Sequence, residues 1–115
     1  GLSHPKAKIL AHPTGRLLNQ RNGYELEWDK IFAFCKENHK ALEINAWPLR
    51  LDLPDLLVRE AVKKGVKLII NTDSHEVSQM EMMQYGVSVA RRGWATERDI
   101  LNTMSYTELK AWFAK

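Results

Sequence analysis

The stretch "VKLIINTDSHE" (residues 66–76) decides the fold class. Its short aliphatic run follows Gly65 and ends in polar residues, which predicts a buried strand over 66–72. The strand runs straight into Asp73-Ser74-His75. Two readings of that Asp-x-His pair are open. It either caps the next helix with His75 in solvent, or supplies two metal ligands at the mouth of a parallel sheet.

Working outward, the same alternation recurs. "AKILA" (residues 7–11) reads as a strand that stops at His12-Pro13, followed by an irregular connection containing Gly15 and Gly23. Trp28, Ile31, Phe32 and Cys35 recur at helical spacing, which predicts an amphipathic helix over 27–38. "ALEINA" (residues 41–46) is a second strand. Asp52 is a candidate N-cap for a helix that continues through Lys64 to a Gly65 stop. Beyond the third strand, residues 76–84 predict a helix ended by Gly86. Thr96 and Ser105 read as helix caps, Ser105 with Glu108 as a capping box before Leu109, Trp112 and Phe113.

Strand and helix alternating three times is the signature of parallel βαβ units. Parallel strands end on one edge, and in α/β folds that edge is the functional one. His12, Asn45, Asp73 and His75 all fall there.

The 115 residues form one small domain or a piece of a larger one, and the four Trp and other apolar residues suffice for a core. A net charge of +3 permits an anionic partner without requiring one. No stretch reaches the roughly 18 apolar residues of a membrane span, and "GLSHPKAK" has no signal-peptide core. The single cysteine, Cys35, excludes an internal disulfide framework, so a reduced, cytoplasmic protein is expected. Walker loop, dinucleotide fingerprint and nucleophile elbow are all absent from the sequence.

Each candidate residue has a bland alternative. His12 alone is a polar loop residue. Glu43 and Asn45 face the same way on an apolar strand, where a buried carboxylate needs a cation or another partner. Cys35 lies on its helix's apolar stripe and reads as core, and Met80, Met82 and Met83 read as packing. His39 follows a helix and reads as solvent-facing. Arg16, Arg21, Arg50, Arg91 and Arg92 could pair with phosphate or simply be solvated. Trp47 and Trp94 could stack on a base or cover the core.

Taken together, "AHPTGRLLNQRNGYE", "LEINAWPLRLDLPD", "INTDSHEVSQMEMMQYGVSVARRGW" and "ILNT" resemble the C-terminal part of the PHP (polymerase and histidinol phosphatase) domain, in the version fused to bacterial and archaeal family X DNA polymerases. The resemblance runs from about Lys8 to Trp112. It implies that residues 1–115 are the C-terminal segment of one PHP domain. The implied fold is α/β, the last part of a distorted seven-stranded β/α (TIM-like) barrel, with about three parallel strands and crossover helices. The implied activity is a 3′–5′ exonuclease and 3′-end-processing phosphoesterase acting on DNA 3′ ends, in which a trinuclear cluster of Mn²⁺ or Zn²⁺ activates water.

By the same resemblance His12, Asp73 and His75 match metal ligands. Glu43 and Asn45 match residues lining the cavity, and Arg16 and Arg50 match phosphate contacts. The family's first strands, with a His-x-His motif and further Glu and His ligands, have no counterpart in this sequence. An incomplete barrel, inactive alone and prone to pair as a homodimer, is therefore expected. Two other readings stand beside this one: a non-catalytic PHP remnant serving as a structural or interaction module, and a small-molecule phosphatase related to histidinol phosphatase.

Overall fold

The computed structural model describes residues 3–19 and 26–115. Arg21 and Gly23 of the irregular connection lie outside them. Three parallel strands, β1 (Ile9–Leu10), β2 (Ala41–Asn45) and β3 (Lys67–Asn71), form an open sheet in the order β1-β2-β3. Helix α1 (Trp28–Glu37) precedes β2 and α2 (Asp55–Lys63) precedes β3. After β3 come a 3₁₀ segment (Val77–Met82), helix α3 (Met83–Arg92), two short 3₁₀ turns and helix α4 (Tyr106–Ala114). The α/β architecture and its three strands agree with the pattern in the sequence.

The register aligns Ile9 with Ala41 and Ala41 with Lys67, so residues of one parity share a face. Leu42, Ile44, Leu68 and Ile70 point to the face packed against Phe32 and Cys35 of α1, Val58 and Ala61 of α2, and Val89 and Ala90 of α3. Burial there raises the Cys35 thiol to a pKa of about 11, partly opposed by Lys40, which keeps it a core side chain instead of a nucleophile.

The opposite face divides along its length. Near the strand starts Ala41 is covered by Leu101 and Trp112, with Ile9, Ile69, Leu109 and Phe113 packed alongside. Toward the strand ends the same parity continues as Glu43, Asn45 and Asn71. One face of one sheet is thus apolar at the bottom and polar at the top. The outer edge of β3 is covered: Leu68 bridges Ile100, and the Asn102 amide both accepts from the Ile70 N–H (2.7 Å) and donates to the Ile70 carbonyl (2.9 Å).

Several local expectations are corrected. Asp52 is not a helix cap; Pro54 occupies that position, and Asp52 is drawn inside to bond the loop after β1. Gly86 does not end a helix. It lies within α3, buried where a Cβ would run into Ile70 and stand 3.0 Å from Ala46 Cβ, so close packing on the sheet offsets the glycine's helix penalty of about 1 kcal/mol. Met83 does pack against the core, whereas Met80 is exposed. His39 is half-buried, with its ring 4.2 Å from that of Trp112, because α4 folds back over it. Thr96 and Ser105 both cap as expected, Ser105 in the expected box with Glu108, and Thr96 adds a box of its own with Asp99.

Gly93 ends α3 against α2. A Cβ there would stand 2.6 Å from Val58 Cβ and 2.9 Å from the Asp55 carbonyl oxygen, a backbone atom that cannot swing aside. Gly93→Ala is therefore expected to cost about 1–3 kcal/mol, read as a lower urea midpoint at unchanged slope. A midpoint equal to wild type would show that α2 and α3 move apart freely.

Candidate functional site at the strand ends

Glu43 is the point where the strand ends meet. It is 7% exposed, on the central strand, and an unsatisfied carboxylate at that depth would be costly. Its Oε1 accepts from the His12 backbone N–H at 2.9 Å and from Asn45 Nδ2 at 3.1 Å. Its Oε2 accepts from Asn71 Nδ2 at 2.8 Å. One carboxylate thereby ties the end of β1 to β2 and β3. Asn45 completes its own bonding by accepting from the Trp47 N–H at 3.0 Å.

A second buried carboxylate fixes the loop after β1. Asp52, 0% exposed, accepts from the N–H groups of Thr14 (3.0 Å) and Gly15 (2.8 Å), while its backbone pairs with Asn45. Arg16 belongs to the same tie: its Nε donates to the Arg50 carbonyl at 2.8 Å and its Nη2 to the Leu51 carbonyl. The loops after β1 and β2 are therefore one hydrogen-bonded body. The guanidinium of Arg16 is committed to holding it.

Arg50 is placed differently. Its Nη1 is buried and has no hydrogen-bond partner among the described residues. Arg50 lines a cavity of about 310 Å³ with Leu17, Trp47, Asp73, His75 and Gln79. Asp73 and His75 are exposed, and the His75 N–H donates to Gln79 Oε1 at 2.7 Å. The structure so brings Asp73, His75 and Arg50 to one cavity and fastens His12 to Glu43 by its backbone.

The backbone here is unusual. His12 (φ 28°), Leu51 (φ 41°) and Asp73 (φ 54°) all take left-handed conformations without being glycine, one in each of the three strand-end loops. Such conformations are costly for most residues and gather where a site over-determines the chain. Asn71 and Gln79 were not singled out from the sequence. Asn71 had a signal, since placing the strands in register sets it beside Asn45.

No family model matches the chain. Over 114 residues it is 39% identical to the DNA polymerase/3′-5′ exonuclease PolX of Bacillus subtilis (strain 168), and the match covers 99% of this chain. The chain is a homologue of part of PolX. It spans 20% of the length of that relative.

Whether this chain can hold a metal alone is decided by its donors. Among the described residues no group of three or more His, Cys, Asp or Glu side chains is placed to hold a metal ion. Glu43 is already satisfied by three N–H donors and does not call for a cation. The residues present do not by themselves fit a closed metal centre, and none of the described helices is long and apolar enough to cross a membrane.

Proposed function

We propose that this chain is the C-terminal part of a PHP domain in a family X-type polymerase, and that it forms one wall of a metal-dependent 3′–5′ exonuclease site. The observation that carries the reading is the placement of Asp73, His75 and Arg50 around one cavity at the ends of parallel strands. The likeness to a protein named as both polymerase and exonuclease supports it.

In this reading His12, Asp73 and His75 are a partial donor set for Mn²⁺ or Zn²⁺, which the rest of the longer domain completes. A bound divalent metal would supply an activated water and charge neutralisation. The work of this chain's own residues is positional. Glu43 and Asn45 hold the loops, Asp52 and Arg16 brace them, and Arg50 offers an N–H to a phosphoryl oxygen of the DNA 3′ end.

The test is reconstitution. The isolated chain should not shorten a 5′-labelled single-stranded oligonucleotide in Mn²⁺, because its donors do not close a site. Adding the N-terminal part of the domain in trans should produce cleavage. Robust cleavage by the chain alone, or none from the combined parts once they are shown to associate, would overturn the reading. The inert-module alternative predicts the second of these outcomes.

The same reading leaves the chain with surfaces that the rest of a barrel would cover. Leu56, Val77 and Tyr106 are 72%, 85% and 79% exposed, and β1 is a two-residue edge strand. Self-association is the expected consequence, checked by sedimentation equilibrium. A stable monomer at high micromolar concentration would count against it.

A further inference from the structure

The starts of the strands gather a different chemistry from their ends. Lys8 precedes β1, Lys40 precedes β2 and Lys67 opens β3, and parallel pairing sets these positions along one edge. A cavity of about 120 Å³ opens there, lined by Lys36, His39, Lys40, Lys67 and Trp112 among others, and among the described residues no carboxylate side chain lines it. Five strand residues at roughly 3.3 Å each separate it from the Asp73 edge.

Two of the cations around this cavity, Lys40 and Lys67, donate to backbone carbonyls and not to carboxylates among the described residues. Lys40 is only 5% exposed, and its ammonium donates to the His4 and Ala7 carbonyls at 3.1 and 2.5 Å. Lys67 Nζ donates to the Arg98 carbonyl. Buried ammonium groups are rare unless paired, and no ion pair is made by Lys36, Lys40 or Lys67 among the described residues.

His39 adds an independent mark. A left-handed backbone (φ 57°) and the stacking on Trp112 fix its ring, and its Nε2 is buried without a hydrogen-bond partner among the described residues. The ring is thus fixed beside the cavity, where it can report on charge placed there.

We propose that this cavity binds a phosphate-type oxyanion, held by Lys36, His39 and Lys67 with the Lys40 charge beside it. The space matches a tetrahedral oxyanion better than a nucleoside. The ligand is therefore a single phosphoryl or sulfuryl group, either free or at the end of a chain that stays outside. The assignment does not depend on the exonuclease reading, and either can fail without the other.

His39 reports on the site. Its pKa lies below the ordinary 6.5, first because burial disfavours the charged ring and then because Lys115 repels it. Lys8 and Lys67 add to that repulsion, while the Trp112 main chain opposes it. Lys36 and Lys40 are the other charged groups lining the cavity. A bound anion reverses the local sign, so the His39 midpoint must rise.

The experiment follows the imidazole signals of the chain by NMR through a pH titration, in sodium sulfate and in sodium chloride at matched ionic strength. Loss of one signal in His39→Gln makes the assignment. Sulfate should raise the His39 midpoint by roughly one pH unit, the size expected of an opposite charge at close range, and move the other three histidines less. Lys36→Gln, at an exposed position that does not threaten folding, should weaken sulfate binding about three- to tenfold.

A 5′-phosphorylated dinucleotide distinguishes the sources. A shift with it as well as with sulfate assigns the site to a terminal phosphoryl group, and a shift with sulfate alone assigns it to the free anion. An identical His39 midpoint in sulfate and chloride would overturn the proposal, as would unchanged sulfate affinity in Lys36→Gln.

Discussion

Asp52→Ala is expected to lower the unfolding free energy by about 3–5 kcal/mol, the cost of breaking a buried charged contact and stranding its partners. The carboxylate is 0% exposed and accepts two backbone N–H groups, from Thr14 and Gly15. Alanine would leave both donors without an acceptor. It would also free the loop that Arg16 clasps from the other side through the Arg50 and Leu51 carbonyls. Domains of this size have roughly 5–15 kcal/mol in total, so the loss is a large fraction of the whole. Urea unfolding should show a much lower midpoint with a similar slope. Asp52→Asn keeps one carbonyl acceptor and should cost less than the alanine change. A change below about 0.5 kcal/mol for Asp52→Ala, the range of ordinary surface substitutions, would show that these bonds do not hold the loops.

The importance of Asp52 was hidden in the sequence, and the reason is physical. An Asp shortly before a helical pattern is what an N-cap looks like, because capping is a local interaction between neighbours. The actual partners, Thr14 and Gly15, are 38 and 37 residues away, and no local pattern reports them. Gly86 misled for the same reason. Its tolerance inside α3 comes from the approach of Ile70 and Ala46, which only the folded packing reveals.

Features set by adjacent residues were legible. The capping box of Ser105 with Glu108 forms as the spacing implies, and β3 with its polar end lies within one residue of the expected bounds. The shared face of Glu43 and Asn45 followed from strand parity alone, and the Asn45 amide does reach Glu43. Arg16 and Arg50, by contrast, looked equivalent in sequence. Tertiary contacts separate them, since one guanidinium is spent on carbonyls and the other keeps a buried nitrogen unpartnered among the described residues.

That separation bears on the second large effect. In the reconstituted enzyme Asp73→Asn is expected to reduce 3′-end cleavage by more than about a hundredfold, since residues that merely support a metal ligand already cost 10–100-fold. The substitution is chosen for its backbone. Asp73 sits at φ 54°, a conformation that asparagine tolerates and alanine does not, so the loop should keep its shape. The side chain is exposed, and folding stability should stay within about 0.5 kcal/mol of wild type. What changes is charge at the cavity shared with His75 and Arg50. Arg50→Ala should act differently, weakening DNA binding through the lost phosphoryl contact. Arg16→Ala should chiefly destabilise the loop body. Steady-state cleavage, urea unfolding and oligonucleotide affinity measured on all three variants separate these roles. Full cleavage by a folded Asp73→Asn enzyme would remove Asp73 from the donor set, and with it the reading of the strand end at residues 73–75 as a metal-binding edge.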